Sequence, residues 1–262
     1  MRKPGQRGAT ETPWFLHRAH DEFPRWAGSV RDAAAVLLLL LLLLPQVLDC
    51  HFESETCMPT VIDYYLAPQS PWTYLGHQRF CGLAAAAGAT VNIKPVDLGG
   101  KIFPVSGGLP LGQRAPQRQA YRLLELARFR DAMGLPLNIK PRHFPVPGHQ
   151  AACCIIAVDQ AEGSAAAMRF AGAVLTAVWA QERNIDDAGT LAQLLAQTGL
   201  PTGLADAAKA PEVQARYEAN TQQAIDAGVF GAPSYVIDGE IFWGQDRLDF
   251  VARRLASGSA AA

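Results

Sequence analysis

The segment from Val61 to Val96 constrains the fold more than any other part of the chain. Val61-Ile62-Asp63-Tyr64-Tyr65-Leu66 is rich in β-branched and aromatic residues and reads as a buried strand. The turn Ala67-Pro68-Gln69 follows it, and Ser70-Pro71 then carries the two marks of a helix start. A serine accepts a hydrogen bond from a first-turn N–H, and proline loses nothing at a position whose N–H would be unpaired anyway. The helix predicted from Trp72 to Ala87 stops at Gly88, and Thr90 to Val96 reads as a second strand. Strand, helix and strand of these lengths form a parallel pair with a right-handed crossover.

Downstream, Asp97 to Gln113 is rich in Gly and Pro and is expected to be loop. A long helix is predicted over Pro116 to Met133, stopped by Gly134, and a second Pro-rich connector runs from Leu135 to Gly148. Helices are then predicted over Gln150–Ala161, Ser164–Trp179, Ala188–Thr198 and Pro211–Ala227, with Asp187 capping the third and Gly199 ending it. This block, about residues 115–228, is nearly free of strand signal and reads as a helical insertion. Strand character returns at Ser234–Ile237 and Glu240–Trp243, joined by the hairpin signal Asp238-Gly239, and a helix from about Asp246 to Leu255 closes the domain. Both halves are needed to complete one four-stranded sheet, in the order βαβ, helical block, ββα.

Residues 1–57 read differently. Charge, Pro and Gly are mixed without period until an apolar run of leucines, Leu37 to Leu44, ends at Pro45. That run is shorter than the roughly 20 residues that cross a bilayer, and the charged stretch before it is too long for a secretory leader. Three readings stay open: a tail with an interface-seeking patch, an atypical anchor, or an upstream extension of a domain that begins at Met58. The domain itself is expected over 58–257, with 258–262 as a tail.

Charge excludes one class of function. The chain has 23 basic and 24 acidic side chains, a net charge of -1, and no extended basic surface for nucleic acid. Membrane association is not expected of the domain. The short cluster Arg114, Arg118, Arg122 still offers local positive charge to a small anion. Five cysteines, Cys50, Cys57, Cys81, Cys153 and Cys154, include no Cys-x-x-Cys pair, and their odd number argues against a disulfide framework. Cys153 and Cys154 sit in an apolar helical stretch and read as core. The histidines lack zinc spacing.

The chemistry is expected where the first strand meets its helix. Unpaired N–H groups and the helix dipole favour negative charge at Ser70, and the same field lowers the pKa of a thiol. The chain offers no cysteine there. Ser70 is therefore either a helix cap only, or a hydroxyl that donates to the sulfur of a bound external thiol. Pro233 precedes a strand: it is either an ordinary trans proline that starts it, or, if the Ala232–Pro233 bond is cis, it exposes the main chain at Ala232 to hold a cysteine-containing peptide as an added strand. Asp246 either caps the last helix or pairs with the amino group of a γ-glutamyl ligand. Trp72, Tyr74, Phe144, Trp179 and Trp243 read individually as core and jointly as candidates to line an aromatic cleft; His149 is a lesser candidate for proton transfer.

Ser70-Pro71-Trp72-Thr73-Tyr74-Leu75-Gly76, Phe230-Gly231-Ala232-Pro233-Ser234 and Trp243-Gly244-Gln245-Asp246-Arg247-Leu248, in that order, resemble the 2-hydroxychromene-2-carboxylate isomerase family. These proteins have a DsbA-like thioredoxin fold and are close to kappa-class glutathione transferases. The resemblance spans about Met58 to Leu255. It implies an α/β thioredoxin-like fold in which Ser70 replaces the first redox cysteine and Thr73 the second. It implies glutathione as cofactor, with Ser70 at its sulfur, Ala232 and the cis-proline Pro233 at its cysteinyl unit, and Gln245 and Asp246 at its γ-glutamyl end. The implied reaction interconverts 2-hydroxychromene-2-carboxylate and trans-o-hydroxybenzylidenepyruvate in the cytoplasm and regenerates glutathione. Arg114 or Arg118 is a charge-based candidate for the substrate carboxylate. Three alternatives remain. One is a glutathione transferase acting on electrophiles, and another a non-catalytic peptide-binding or chaperone domain. A disulfide oxidoreductase is disfavoured, because Ser70 and Thr73 cannot form a disulfide. Members of the fold family often dimerise, and the sequence carries no separate signature for a homodimer.

Overall fold

The computed structural model describes residues 59–260. The readings made for 1–57, and the proposed start at Met58, lie outside those residues. Strand β1 (Val61–Leu66), helix α1 (Pro71–Ala86) and strand β2 (Thr90–Pro95) form the expected unit. The two strands are parallel and in register from Val61 opposite Thr90 to Leu66 opposite Pro95. Strand β3 (Ser234–Ile237) runs antiparallel to β1, and β4 (Glu240–Trp243) antiparallel to β3. The sheet order is β2-β1-β3-β4, so the two halves of the chain join where β1 pairs with β3.

Strand β1 is covered on both faces, which accounts for its nearly unbroken apolar run. Ile62, Tyr64 and Leu66 belong to the large core shared with the helical block, while Tyr65 joins Val96, Ile102, Ala224 and Val229 in a smaller core on the other side. Helix α1 is seated on the sheet by an aromatic cluster. Tyr64 stacks on Tyr235 with ring centroids 5.3 Å apart and planes 2° apart, and Phe80 packs against both at 4.6 and 4.5 Å.

The helical block follows the sequence closely. It comprises α3 (Pro116–Met133), α4 (His149–Glu162), α5 (Ser164–Trp179), α6 (Ala188–Gln197), the one-turn α7 (Leu204–Ala207) and α8 (Pro211–Asp226), after a one-turn α2 at Phe103–Ser106. Asp187 caps α6 by accepting the Thr190 N–H at 2.7 Å, and Gly134 and Gly199 leave their helices with positive φ. Helix α9 (Leu248–Ala260) follows a 3₁₀ turn at Gln245–Arg247, so the last helix starts two residues later than the sequence suggests. Cys153 and Cys154 are buried in α4 as core residues, and both thiols, like Cys81, are free.

The connector Asp97–Gln113 differs from the loop expected there. It holds a π-helical turn at Leu98–Ile102, α2, and a 3₁₀ turn at Leu111–Gln113. Tertiary contacts order it against its glycines. The Asp97 carboxylate accepts from the Gly100 N–H at 2.8 Å, the Asp97 N–H donates to Thr221 on α8 at 3.0 Å, and Ile102 is fully buried. No helix among the described residues is long and apolar enough to cross a membrane.

Candidate functional site

Ser70 stands at the carboxyl end of β1 and caps α1. Its Oγ accepts the Thr73 N–H at 3.2 Å, while the Tyr74 N–H donates to its carbonyl at 3.1 Å. Pro71 has no N–H to satisfy, so the Trp72 amide remains as the first-turn donor without an intrahelical partner. The Ser70 hydroxyl donates in turn to the carbonyl oxygen of Ala232 at 3.4 Å. That is a long bond for two oxygens, and a charged acceptor would displace it with gain. Both the capping role and the reach toward the Ala232 segment are therefore present in one side chain. The Thr73 hydroxyl, one turn into α1, is buried and has no partner among the described residues.

The Ala232–Pro233 bond is cis, as the resemblance implied. Ladder pairing between β1 and β3 ends with Tyr65 opposite Ser234, so the Ala232 main chain lies just beyond the sheet. The Pro233 carbonyl accepts the Gly244 N–H at 2.9 Å, which ties Gln245 and Asp246 to the proline segment. Gly244 has φ 104°, and a Cβ there would stand 2.5 Å from the Asp246 carboxylate, so only glycine serves this link. On the helix side, Gly76 lets α1 approach the same turn. A Cβ on Gly76 would lie 2.8 Å from the Gln245 Cβ and 3.1 Å from the Tyr235 hydroxyl. Ser70 thus meets the Ala232–Pro233 segment, and that segment and α1 each meet the turn that carries Gln245 and Asp246.

Their environments differ. Gln245 is buried, and its side-chain oxygen has no partner among the described residues. Asp246 is half exposed and pairs with its neighbour Arg247 at 2.7 Å, so it serves the turn as an ion pair and not as a buried cap. His149 opens α4, with its ring edge-on to Tyr217 at 5.1 Å and its Nε2 3.8 Å from Cys153 Sγ. The aromatic residues divide into separate pairs instead of one cleft. Trp72 packs on Phe129, Phe144 on Trp179, and the half-exposed Trp243 on Phe230 at the β4 edge; Tyr74 is spent on the Pro136 carbonyl.

Behind α1 lies a polar group that sequence reading passed over. His77 is buried, with Nε2 2.9 Å from the Met168 carbonyl and Nδ1 3.1 Å from the Tyr64 hydroxyl. A carbonyl only accepts, so Nε2 carries the proton and Nδ1 accepts from Tyr64. Burial holds the imidazole pKa below its usual value, against a smaller opposing effect of the Met168 carbonyl. The tyrosine hydroxyl is pushed up by the same burial and by Tyr235 and Cys81, which keeps it a donor. In sequence, the only sign was a histidine on the inner face of a helix. The buried Arg122 on α3 was likewise seen only as part of a basic cluster.

A family model of the DSBA-like thioredoxin domain matches residues 61–256. The 2-hydroxychromene-2-carboxylate isomerase of Sphingobium xenophagum is 27% identical over 195 residues, covering 74% of this chain and 97% of that protein. The protein of the same name from Pseudomonas putida is 26% identical over 193 residues, covering 72% and 90%. Among solved structures, a 2-hydroxychromene-2-carboxylate isomerase superposes with a TM-score of 0.65 at 24% identity, over 75% of this chain and 95% of its own. The cytosolic disulfide reductase DsbM from Pseudomonas aeruginosa, solved with GSH, superposes with a TM-score of 0.54 at 17% identity, over 75% and 99%. The chain belongs to the DSBA-like thioredoxin domain family, in which it is related to the 2-hydroxychromene-2-carboxylate isomerases.

Proposed function

We propose that this protein is a glutathione-dependent isomerase of a small aromatic carboxylate, of the type that interconverts 2-hydroxychromene-2-carboxylate and trans-o-hydroxybenzylidenepyruvate. One observation carries the reading: the Ser70 hydroxyl at the start of α1 reaches the Ala232 carbonyl at 3.4 Å, where a redox protein of this fold would need a thiol. Relatives named for this isomerisation, and a protein of the same fold solved with GSH, support it.

The residues present fit glutathione. The Ser70 hydroxyl is held by a weak bond it can exchange, the Thr73 hydroxyl and the Gln245 carbonyl are buried without partners among the described residues, and the Ala232 main chain lies past the end of the ladder. Ser70 would hold the sulfur, Ala232 and Pro233 the cysteinyl backbone, and Gln245 with Asp246 the γ-glutamyl end. Bound glutathione would supply a thiolate nucleophile able to add reversibly to a conjugated carbon, the chemistry that makes the adjoining bond single and rotatable. The chain's part is to hold negative charge at the amino end of α1, by the helix field and the Ser70 O–H donor, and to keep that hydroxyl aimed through its capping bond to Thr73. No proton needs to leave Ser70 for this.

The test is a calorimetric titration of the full chain with glutathione, followed by a rate assay on 2-hydroxychromene-2-carboxylate. Saturable binding with a product of unchanged mass supports the reading. A product heavier by glutathione makes the protein a transferase, and folded protein that binds no glutathione removes the cofactor from the proposal.

A further inference from the structure

Arg122 carries a charge that no other described residue answers with an ion pair. It lies on α3 with 8% of its surface exposed. Its guanidinium carbon sits 5.2 Å from the Phe144 ring centre and 5.8 Å from that of Trp179. Among the described residues it forms no ion pair, not even with Glu125 one turn further along the helix. Burial lowers its pKa to about 10, with the nearby Arg114 contributing, and Arg114 is itself depressed by burial and by Arg118. A buried cation normally has a partner, because leaving water without one is costly. The aromatic rings offset part of that cost. The guanidinium keeps five N–H bonds in its own plane, in the fork that a carboxylate fits.

A second donor in the same place also lacks an acceptor. The Trp179 indole N–H is buried and unpaired among the described residues, in a residue that is wholly enclosed. A buried guanidinium without an ion pair among the described residues, against a ring whose own donor is also unpaired there, calls for an anionic acceptor. The position suits the proposed reaction. Phe129, on the same face of α3 as Arg122, packs edge-on against Trp72 next to the α1 start, with ring centres 6.0 Å apart. From Phe144 the chain runs to Gly148, which has no room for a Cβ because the Gln69 side chain, beside Ser70, would stand 2.0 Å away. The cation therefore lies on elements that abut both sides of Ser70.

We propose that Arg122 binds the carboxylate of the aromatic substrate. The choice of substrate rests on the isomerase reading. The carboxylate chemistry rests on the residues alone. Arg114, the earlier candidate, is occupied: its Nε donates to the Leu109 carbonyl at 2.8 Å and its guanidinium lies over Phe103. Glutathione also has a glycyl carboxylate, and the experiment separates the two sources.

The probes are trans-2-hydroxycinnamate and its methyl ester, titrated against the full chain with saturating glutathione and read by tryptophan fluorescence. The wild type is expected to bind the acid more tightly than the ester. Arg122→Met should weaken the acid about ten- to a hundredfold, and leave the ester and glutathione within about twofold. Arg122→Lys, which keeps the charge without the fork, should recover part of the loss and guards against a variant that fails to fold. Equal binding of the acid by wild type and Arg122→Met overturns the proposal. So does a loss confined to glutathione, which assigns Arg122 to the glycyl carboxylate. Turnover of the chromene substrate is measured separately: its absence, with the acid preference intact and dependent on Arg122, ends the isomerase reading and leaves the carboxylate site standing.

Discussion

The Ser70 hydroxyl and the Ala232 carbonyl, 162 positions apart, are joined by a 3.4 Å hydrogen bond that links the start of α1 to the proline segment before β3. The same oxygen caps α1 through the Thr73 N–H. Capping and chemistry can be separated. Ser70→Ala removes both and should cost about 1 kcal/mol of stability, whereas Ser70→Gly removes the hydroxyl at a cap cost of only a few tenths. Both variants are expected to lose about a hundredfold in isomerase rate, as when one donor to a developing negative charge is removed. Melting curves and rates measured together decide it. If the rate follows stability, with Ser70→Gly near wild type, Ser70 is a cap alone.

Gly76 sets how closely α1 approaches the turn before α9. An added methyl would meet Gln245 Cβ at 2.8 Å and Gln245 Cα at 3.3 Å, and the latter is backbone that cannot swing aside. Gly76→Ala should destabilise by about 1–3 kcal/mol, as overpacked cores do. It should also weaken glutathione binding, because the displaced residue is one proposed to hold the γ-glutamyl end. Gly82, with open space where its Cβ would go, is the control. Gly82→Ala is expected to be neutral or mildly stabilising, and equal melting temperatures for the two variants would contradict the close approach.

Strands and helices whose ends carry chemical punctuation were legible. Val61–Leu66, Ser234–Ile237 and Glu240–Trp243 were read residue for residue, and Pro116–Met133 and Ser164–Trp179 were bounded by Pro, Ser or Gly. The ordered turns in 97–113 were not, because what holds them is remote: Thr221 on α8 and the burial of Ile102. Motif order already pointed to the convergence of Ser70 with the Ala232–Pro233 segment, and of Pro233 with the turn at Gly244. The pairing of Asp246 with Arg247 and the lack of an ion pair at Arg122 among the described residues were not legible. Whether a charge finds a partner depends on tertiary neighbours, and the spacing Arg118, Arg122 is as consistent with a solvated helix face as with a buried cation.

Asp246 is exposed enough that its ion pair with Arg247 contributes little to folding. Asp246→Asn should leave the melting temperature nearly unchanged. Against a ligand amine the same carboxylate acts at close range, and its loss is expected to weaken glutathione about tenfold. Arg247→Ala should act in the opposite direction, freeing the carboxylate for the ligand. Calorimetry on the two variants gives the answer, and glutathione affinity unmoved by Asp246→Asn would take Asp246 out of the site.

His77 makes stability depend on pH. Its folded pKa is depressed by burial, below the value of about 6.5 that it regains on unfolding. Between those two values the unfolded chain binds the proton and the folded chain does not. Stability from this group is therefore complete above about pH 6.5 and is lost as pH falls toward the folded pKa, with a slope of at most about 1.4 kcal/mol per pH unit. Protonation would also turn Nδ1 from acceptor to donor against the Tyr64 hydroxyl, whose bond at 3.1 Å helps seat α1 on the sheet. Melting temperature should fall between about pH 7.5 and about pH 5.5 in the wild type, and His77→Gln should be less stable at the higher pH with a flatter profile. The amide can still donate to the Met168 carbonyl and has no proton to gain. Parallel profiles for wild type and variant would show that some other group governs acid sensitivity.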